Sequence, residues 1–243
     1  MVAPAPVAPA AALARLPRPF IVAVITDRTP EAAVSSMRAA ALDGAHAFEV
    51  NLPLYPDAAP AALAPVFAAT GRPAYTTCRR AAFMPVYGIA PADLPSWTDE
   101  ERIDRQLAML GAGSCAIDIE MDTFDPAPPP DAAASREPGP PGELTRDPAA
   151  VRRQADAARA ARAAGAEVFF SCHTGRPQTA ESLIEIARLA LERGADLLKI
   201  VTPCAVPAHL YAVLEASRRL AGRLPIPFTI NGSGPAGDIS RLI

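Results

Sequence analysis

Lysine is almost absent from this chain. Its 23 basic side chains include one lysine, Lys199, and the others are all arginine. The arginines are scattered and the net charge is −3, so there is no basic stripe to follow a phosphate backbone, and nucleic acid is not an expected partner. The four cysteines (Cys78, Cys115, Cys172, Cys204) lie far apart with no C-x-x-C pair. That spacing argues against a disulfide framework and a zinc knuckle, and points to a reducing, cytoplasmic setting. No apolar run reaches the length of a membrane span, and the N-terminal "MVAPAPVAPAAALARLPRPF" lacks a basic leader and is broken by prolines. Neither membrane insertion nor export is expected. Phosphate-binding glycine loops of the G-x-G-x-x-G or G-x-x-x-x-G-K-[ST] type are missing too, and no cofactor is called for.

The scarcity of lysine gives the one that is present a meaning. Arginine serves wherever a position needs only positive charge, but a guanidinium is permanently protonated and a poor nucleophile. Lysine is needed where a compact amine must lose its proton and attack carbon. Lys199 lies in "GADLLKIVTP", which reads as a buried strand.

Short apolar or β-branched runs alternate with longer Ala/Leu/Arg stretches of helical period, the pattern of repeated βα units around a parallel sheet. Seven strands are expected, at 21–26, 47–52, 73–79, 115–121, 167–173, 196–202 and 226–231. Five helices are expected at 30–44, 99–111, 147–165, 179–194 and 207–222, several closing on glycine. With 243 residues, half of them hydrophobic, one α/β domain spanning 21–243 is expected: a (β/α)8 TIM-type barrel, preceded by a Pro/Ala-rich arm at 1–20. A doubly wound open sheet is the alternative. The Pro- and Gly-rich stretch at 123–148 reads as a flexible loop after the fourth strand, either a disordered insertion or a lid.

Side chains two apart on a strand share a face. That rule groups Glu49 with Asn51, Thr77 with Arg79, Asp118 with Glu120, and Ser171 with His173, while Lys199 sits on the following strand. So many polar groups at strand ends are costly to desolvate unless they pair or bind something. Taken singly, each has a plainer reading. The lysine could snorkel or meet a carboxylate, His173 could be structural, and Asp118 and Glu120 could be ion-pair partners of Arg79. Cys172 and Cys204 read as small buried hydrophobes and no metal site is expected. Taken together, an amine and an imidazole ending consecutive strands suit imine chemistry.

"VFFSCHTGRPQTAESL" followed by "GADLLKIVT", with "FEVNL", "YTTCR", "AIDIEM" and "TINGSGPAGDISRLI" in the same order, resembles the motif series of the type I 3-dehydroquinate dehydratases. These are the Schiff-base enzymes of the shikimate pathway, which serves aromatic amino acid biosynthesis. The resemblance runs from about residue 21 to the end. It implies that Lys199 forms an imine with a small keto-carboxylate substrate and that His173 acts as general acid and base. Arg241, next to Ser240, would take the substrate carboxylate, and Glu49, Arg79, Asp118 and Glu120 would line the pocket. The chain departs from the family's pattern in three places. Asn51 stands where the family has arginine, "RRAAFMPVYG" has no acidic residue to support the histidine, and the chain ends before an eighth strand. An unclosed barrel leaves strands one and seven with unpaired backbone, to be covered by the arm or by a second subunit in a homodimer. Asn51 keeps open a different keto substrate, as for a class I aldolase, and the missing strand keeps open a catalytically silent relative that serves as a binding or scaffold protein.

Overall fold

The computed structural model describes residues 13–80, 90, 93–127 and 137–241. Seven parallel strands follow one another in chain order through the sheet: β1 (Val22–Ile25), β2 (Ala47–Asn51), β3 (Ala74–Thr77), β4 (Ala116–Glu120), β5 (Glu167–His173), β6 (Leu197–Pro203) and β7 (Phe228–Ser233). Among the described residues six α-helices connect them: α1 (Pro30–Leu42), α2 (Pro60–Phe67), α3 (Asp99–Leu110), α4 (Pro148–Ala163), α5 (Ala180–Glu192) and α6 (Pro207–Leu220). Strand order never reverses. That is the α/β topology of a TIM-type barrel and it removes the doubly wound alternative, whose order turns back at a switch point. No eighth strand occurs among the described residues.

The sequence pattern did not reveal α2. Its eight residues carry Pro65 inside the helix, which removes one intrahelical bond and masks the signal. The helix forms because Leu63, Val66 and Phe67, at i, i+3 and i+4 spacing, are all buried. Four of the other helices start at side-chain caps, while α6 opens on Pro207 without one. Thr29 and Thr179 accept from the amides of Ala32 and Ser182, Asp147 takes the amides of Ala149 and Ala150, and Thr98 with Glu101 forms a reciprocal capping box on α3.

The chain divides into two compact units, residues 1–118 with 159–167, and residues 119–158 with 168–243. In the first, Phe48, Val50, Met37, Leu63 and Val66 build an apolar core beneath β2, each contributing roughly 1.5–3 kcal/mol on burial. The described end of the N-terminal arm, a 3-10 turn at Leu13–Arg15, docks onto this unit at the start of β5: the amides of Leu13 and Ala14 donate to the two oxygens of Glu167, at 2.6 and 3.0 Å. In the second unit Ile119, Met121, Phe170, Leu183, Ile186, Leu197 and Ile200 are almost fully buried.

Burial also sets the alkaline limit of the first unit. It pushes the Cys115 thiol up to about 12, helped by Glu167, and raises the Tyr75 phenol well above 10, with Glu49 and Asp118 adding to the effect. Above pH ~9 the unfolded chain loses protons that the folded one keeps, so these groups favour the fold fully below their unfolded values and progressively less as pH rises toward 12. The thermal midpoint, followed by circular dichroism, is therefore expected to fall steadily between pH 9 and 12. A flat midpoint over that range would contradict it.

Candidate active site

In the first unit the polar ends of β2, β3 and β4 form two tiers. Glu49 and Tyr75 are register partners, and the buried Tyr75 hydroxyl donates to Glu49 Oε2 at 2.7 Å. One tier toward the strand ends, Asn51 pairs in register with Thr77, and Thr77 Oγ1 donates to Asp118 Oδ2 at 2.9 Å. Asp118 is fixed from behind by Gln106 of α3, whose amide bonds both its backbone N–H and its C=O at 2.8 Å. Asn51 is fully buried, yet neither of its amide atoms has a hydrogen-bond partner among the described residues. Native proteins rarely leave such atoms unsatisfied except where a ligand or water meets them. Arg79 is buried two residues beyond β3, where the Cys78 carbonyl accepts from Arg102 Nε at 2.7 Å.

The second unit holds the lysine and the histidine. Ser171 and Lys199 are register partners across β5 and β6, and His173 pairs with Val201. Lys199 and His173 therefore share a sheet face on neighbouring strands, roughly 8 Å apart at Cα from strand spacing and rise. That separation lets an ammonium stem and an imidazole converge on one molecule. Lys199 is half-buried rather than enclosed, because Lys199, Val201 and Pro203 form the more open face of β6 while their neighbours are buried. The expectation of a lysine inside a buried strand is corrected accordingly: one face of β6 is accessible. The Ser171 hydroxyl is buried, without a hydrogen-bond partner among the described residues. Glu120 is buried at the end of β4.

A carboxylate with no signature in the sequence meets the histidine. Glu143 Oε2 accepts from the His173 backbone amide at 2.6 Å and lies 2.8 Å from its Nδ1. The Glu143 side chain is 1% exposed and that of His173 22%, so the acid is enclosed while the ring is partly exposed. Glu143 belongs to the stretch read as a flexible loop. Residues 128–136 of it lie outside the described residues, but the segment at 139–145 is tied down. Gly142 and Glu143 donate their amides to the Thr174 and His173 carbonyls at 2.8 and 3.3 Å, and Thr145 donates to Met121 at 3.1 Å. Cys172 Sγ lies 3.1 Å from the Glu143 carbonyl, and Gln178 reaches the Gly139 carbonyl at 2.9 Å. These bonds join residues far apart in the chain, which no local pattern reveals.

Ser240 and Arg241 lie in a 3-10 turn at Asp238–Arg241. The Ser240 hydroxyl accepts from the Gly232 amide at 2.7 Å, and Arg241 is exposed. A side chain at Gly232 or Gly237 would collide with the opposite glycine or with Cys204 at 2.6–2.8 Å. The two glycines thus allow the close backbone approach that sets this turn against β7. No group of three or more metal-ligating side chains occurs among the described residues, and no described helix is long and apolar enough to cross a membrane.

A family model described as type I 3-dehydroquinase matches residues 21–243. No curated protein sequence matches. Among solved structures, the 3-dehydroquinate dehydratase of Enterococcus faecalis superposes with a TM-score of 0.70 at 18% identity, covering 92% of this chain and 82% of its own. The type I 3-dehydroquinate dehydratase of Clostridium difficile, solved with covalently modified comenic acid, gives 0.69 at 15%, covering 93% and 80%. The enzyme of Geobacillus kaustophilus HTA426 gives 0.67 at 19%, covering 93% and 77%. At such identities the likeness to these structures establishes the fold.

Proposed function

Since the chain belongs to the type I 3-dehydroquinase family and is a hydro-lyase of that kind, we propose that it dehydrates 3-dehydroquinate to 3-dehydroshikimate through an imine at Lys199. The observation that carries this reading is the placement of the sole lysine on the open face of β6, sharing that face with His173 of β5. The neutral amine attacks the ketone carbon and the carbonyl oxygen leaves as water. The resulting iminium withdraws electrons, so the adjacent C–H becomes acidic enough for an imidazole. His173 takes that proton. The electron pair forms an enamine, which expels the hydroxyl on the next carbon as His173 returns its proton, and water leaves. Hydrolysis of the imine frees the enone product and restores Lys199. Arg241 and Ser240 are assigned to the substrate carboxylate, for which a planar guanidinium fork is suited. Glu120, buried at the end of β4, is assigned to its hydroxyls.

Borohydride trapping tests this. Reduction in the presence of 3-dehydroquinate is expected to leave a stable adduct on the peptide containing Lys199, read by mass spectrometry. Absence of an adduct under turnover conditions would sink the reading. The sequence favours a second one, in which the imine chemistry is retained on another small keto acid: Asn51 stands where the family pattern has arginine. Adducts with other ketones, and none with 3-dehydroquinate, would select that alternative.

A further inference from the structure

We propose that Glu143 is the positioning residue for His173, holding the imidazole with its proton on Nδ1 so that Nε2 is the atom that takes and returns the substrate proton. This rests on the reading of His173 as the proton carrier. A carboxylate only accepts hydrogen bonds. With Glu143 ionised and 2.8 Å away through Oε2, Nδ1 is the nitrogen that carries the proton, and in the neutral ring this leaves the Nε2 lone pair for the substrate. Water alone would not impose that choice.

The same oxygen also takes the His173 backbone amide at 2.6 Å, so the ring and the chain that carries it are referenced to a single point. Nor is the acid itself loose. Its own amide bonds the His173 carbonyl, the preceding amide bonds Thr174, and its carbonyl faces Cys172 Sγ, so residues 142–143 run along the end of β5 as a short paired segment. Two residues on, the Thr145 carbonyl accepts from Arg193 at 2.6 Å. An enclosed acid on a backbone tied at both ends, bonded to a partly exposed imidazole, is the arrangement that fixes a tautomer and a ring orientation and later stabilises the imidazolium. A glutamate kept only to satisfy the His173 amide would not need to meet the ring.

The test uses the full chain with Glu143→Ala and Glu143→Gln. For the alanine variant kcat is expected to fall about 10- to 100-fold, the usual effect of losing such a partner, with KM changed by less than about 3-fold and the borohydride adduct at Lys199 still forming. With three histidines in the chain, the His173 ring nitrogens can be assigned by 15N NMR through loss of signal in His173→Gln. The wild type is expected to show the Nδ1-protonated neutral form, and Glu143→Ala a mixture shifted toward Nε2. Should the alanine variant not fold, Glu143→Gln, of the same shape, is expected to lower kcat by about 10-fold through loss of the carboxylate charge. Wild-type kcat in whichever variant folds, or an Nε2-protonated ring in the wild type, would overturn the proposal. A purely structural role would lower the melting temperature without moving the tautomer, and would overturn it as well. The NMR measurement needs no substrate, so a wild type that forms no adduct removes the dehydratase reading while Glu143 is still decided separately.

Discussion

Arginine at position 199 is expected to lower kcat by roughly 10⁴-fold or more, the scale on which loss of a reacting group acts, while the melting temperature stays within about 2 °C. The two side chains carry the same charge, and the face of β6 that bears Lys199 is open enough to take a guanidinium without repacking. What is lost is the lone pair: a solvent-accessible arginine stays protonated under assay conditions near neutral pH, so it cannot add to a carbonyl. Turnover would be followed by the ultraviolet absorbance of the conjugated enone product, and folding by circular dichroism. Activity retained in Lys199→Arg would show that the amine does not attack. Lost activity together with a large fall in melting temperature would show instead that Lys199 supports the fold.

The second large effect is on stability and falls at Arg193. This guanidinium is 6% exposed and donates to the Met121 carbonyl at 2.8 Å, the Gln154 amide oxygen at 3.0 Å and the Thr145 carbonyl at 2.6 Å. Burial pulls it down from 12.5 to about 10, so it is still charged at neutral pH. Replacing it with methionine has two opposed consequences. Relief from desolvating a cation favours the variant, while removal of the donors leaves buried acceptors behind. Met121 retains donors from Thr145 and Gln154, but the loss at Thr145 and Gln154 of hydrogen bonds from a charged group, each worth about 1.5–3 kcal/mol, outweighs the relief. Arg193→Met is therefore expected to cost roughly 3 kcal/mol, or about 6–12 °C for a chain of this size. Calorimetry showing an unchanged midpoint would refute this account. Because the Thr145 carbonyl is two residues from Glu143, the variant should also lose turnover at temperatures where it remains folded.

Much of the architecture is legible without coordinates, since each strand and most helices announce themselves through local period and caps. The β5 boundaries expected from "EVFFSCH" match the strand observed, and Thr98 with Glu101 marks the start of α3. Lys199 and His173 stand out because their residue types are unusual for strands and because the flanking motifs resemble a known family. Glu143 does not. It sits between prolines and a helix cap with no periodicity around it, and its importance lies wholly in contacts made thirty residues away. The helix α2 is hidden for a related reason: prolines argue locally for a loop, whereas buried Leu63, Val66 and Phe67 favour the helix through tertiary packing. Burial of the Asn51 amide with no protein partner among the described residues is likewise a property of the assembled strands, not of the sequence around it.

The half-open face of β6 has a practical consequence when set beside the composition. Apart from the chain's own N-terminus, Lys199 is the protein's single primary amine. A small amine-directed reagent therefore labels one side chain without mutagenesis, and its rate against pH follows the proton on that nitrogen alone. Protection of this position by candidate keto acids, scored by mass spectrometry on one peptide, turns the search for the physiological substrate into a competition assay with a built-in reporter.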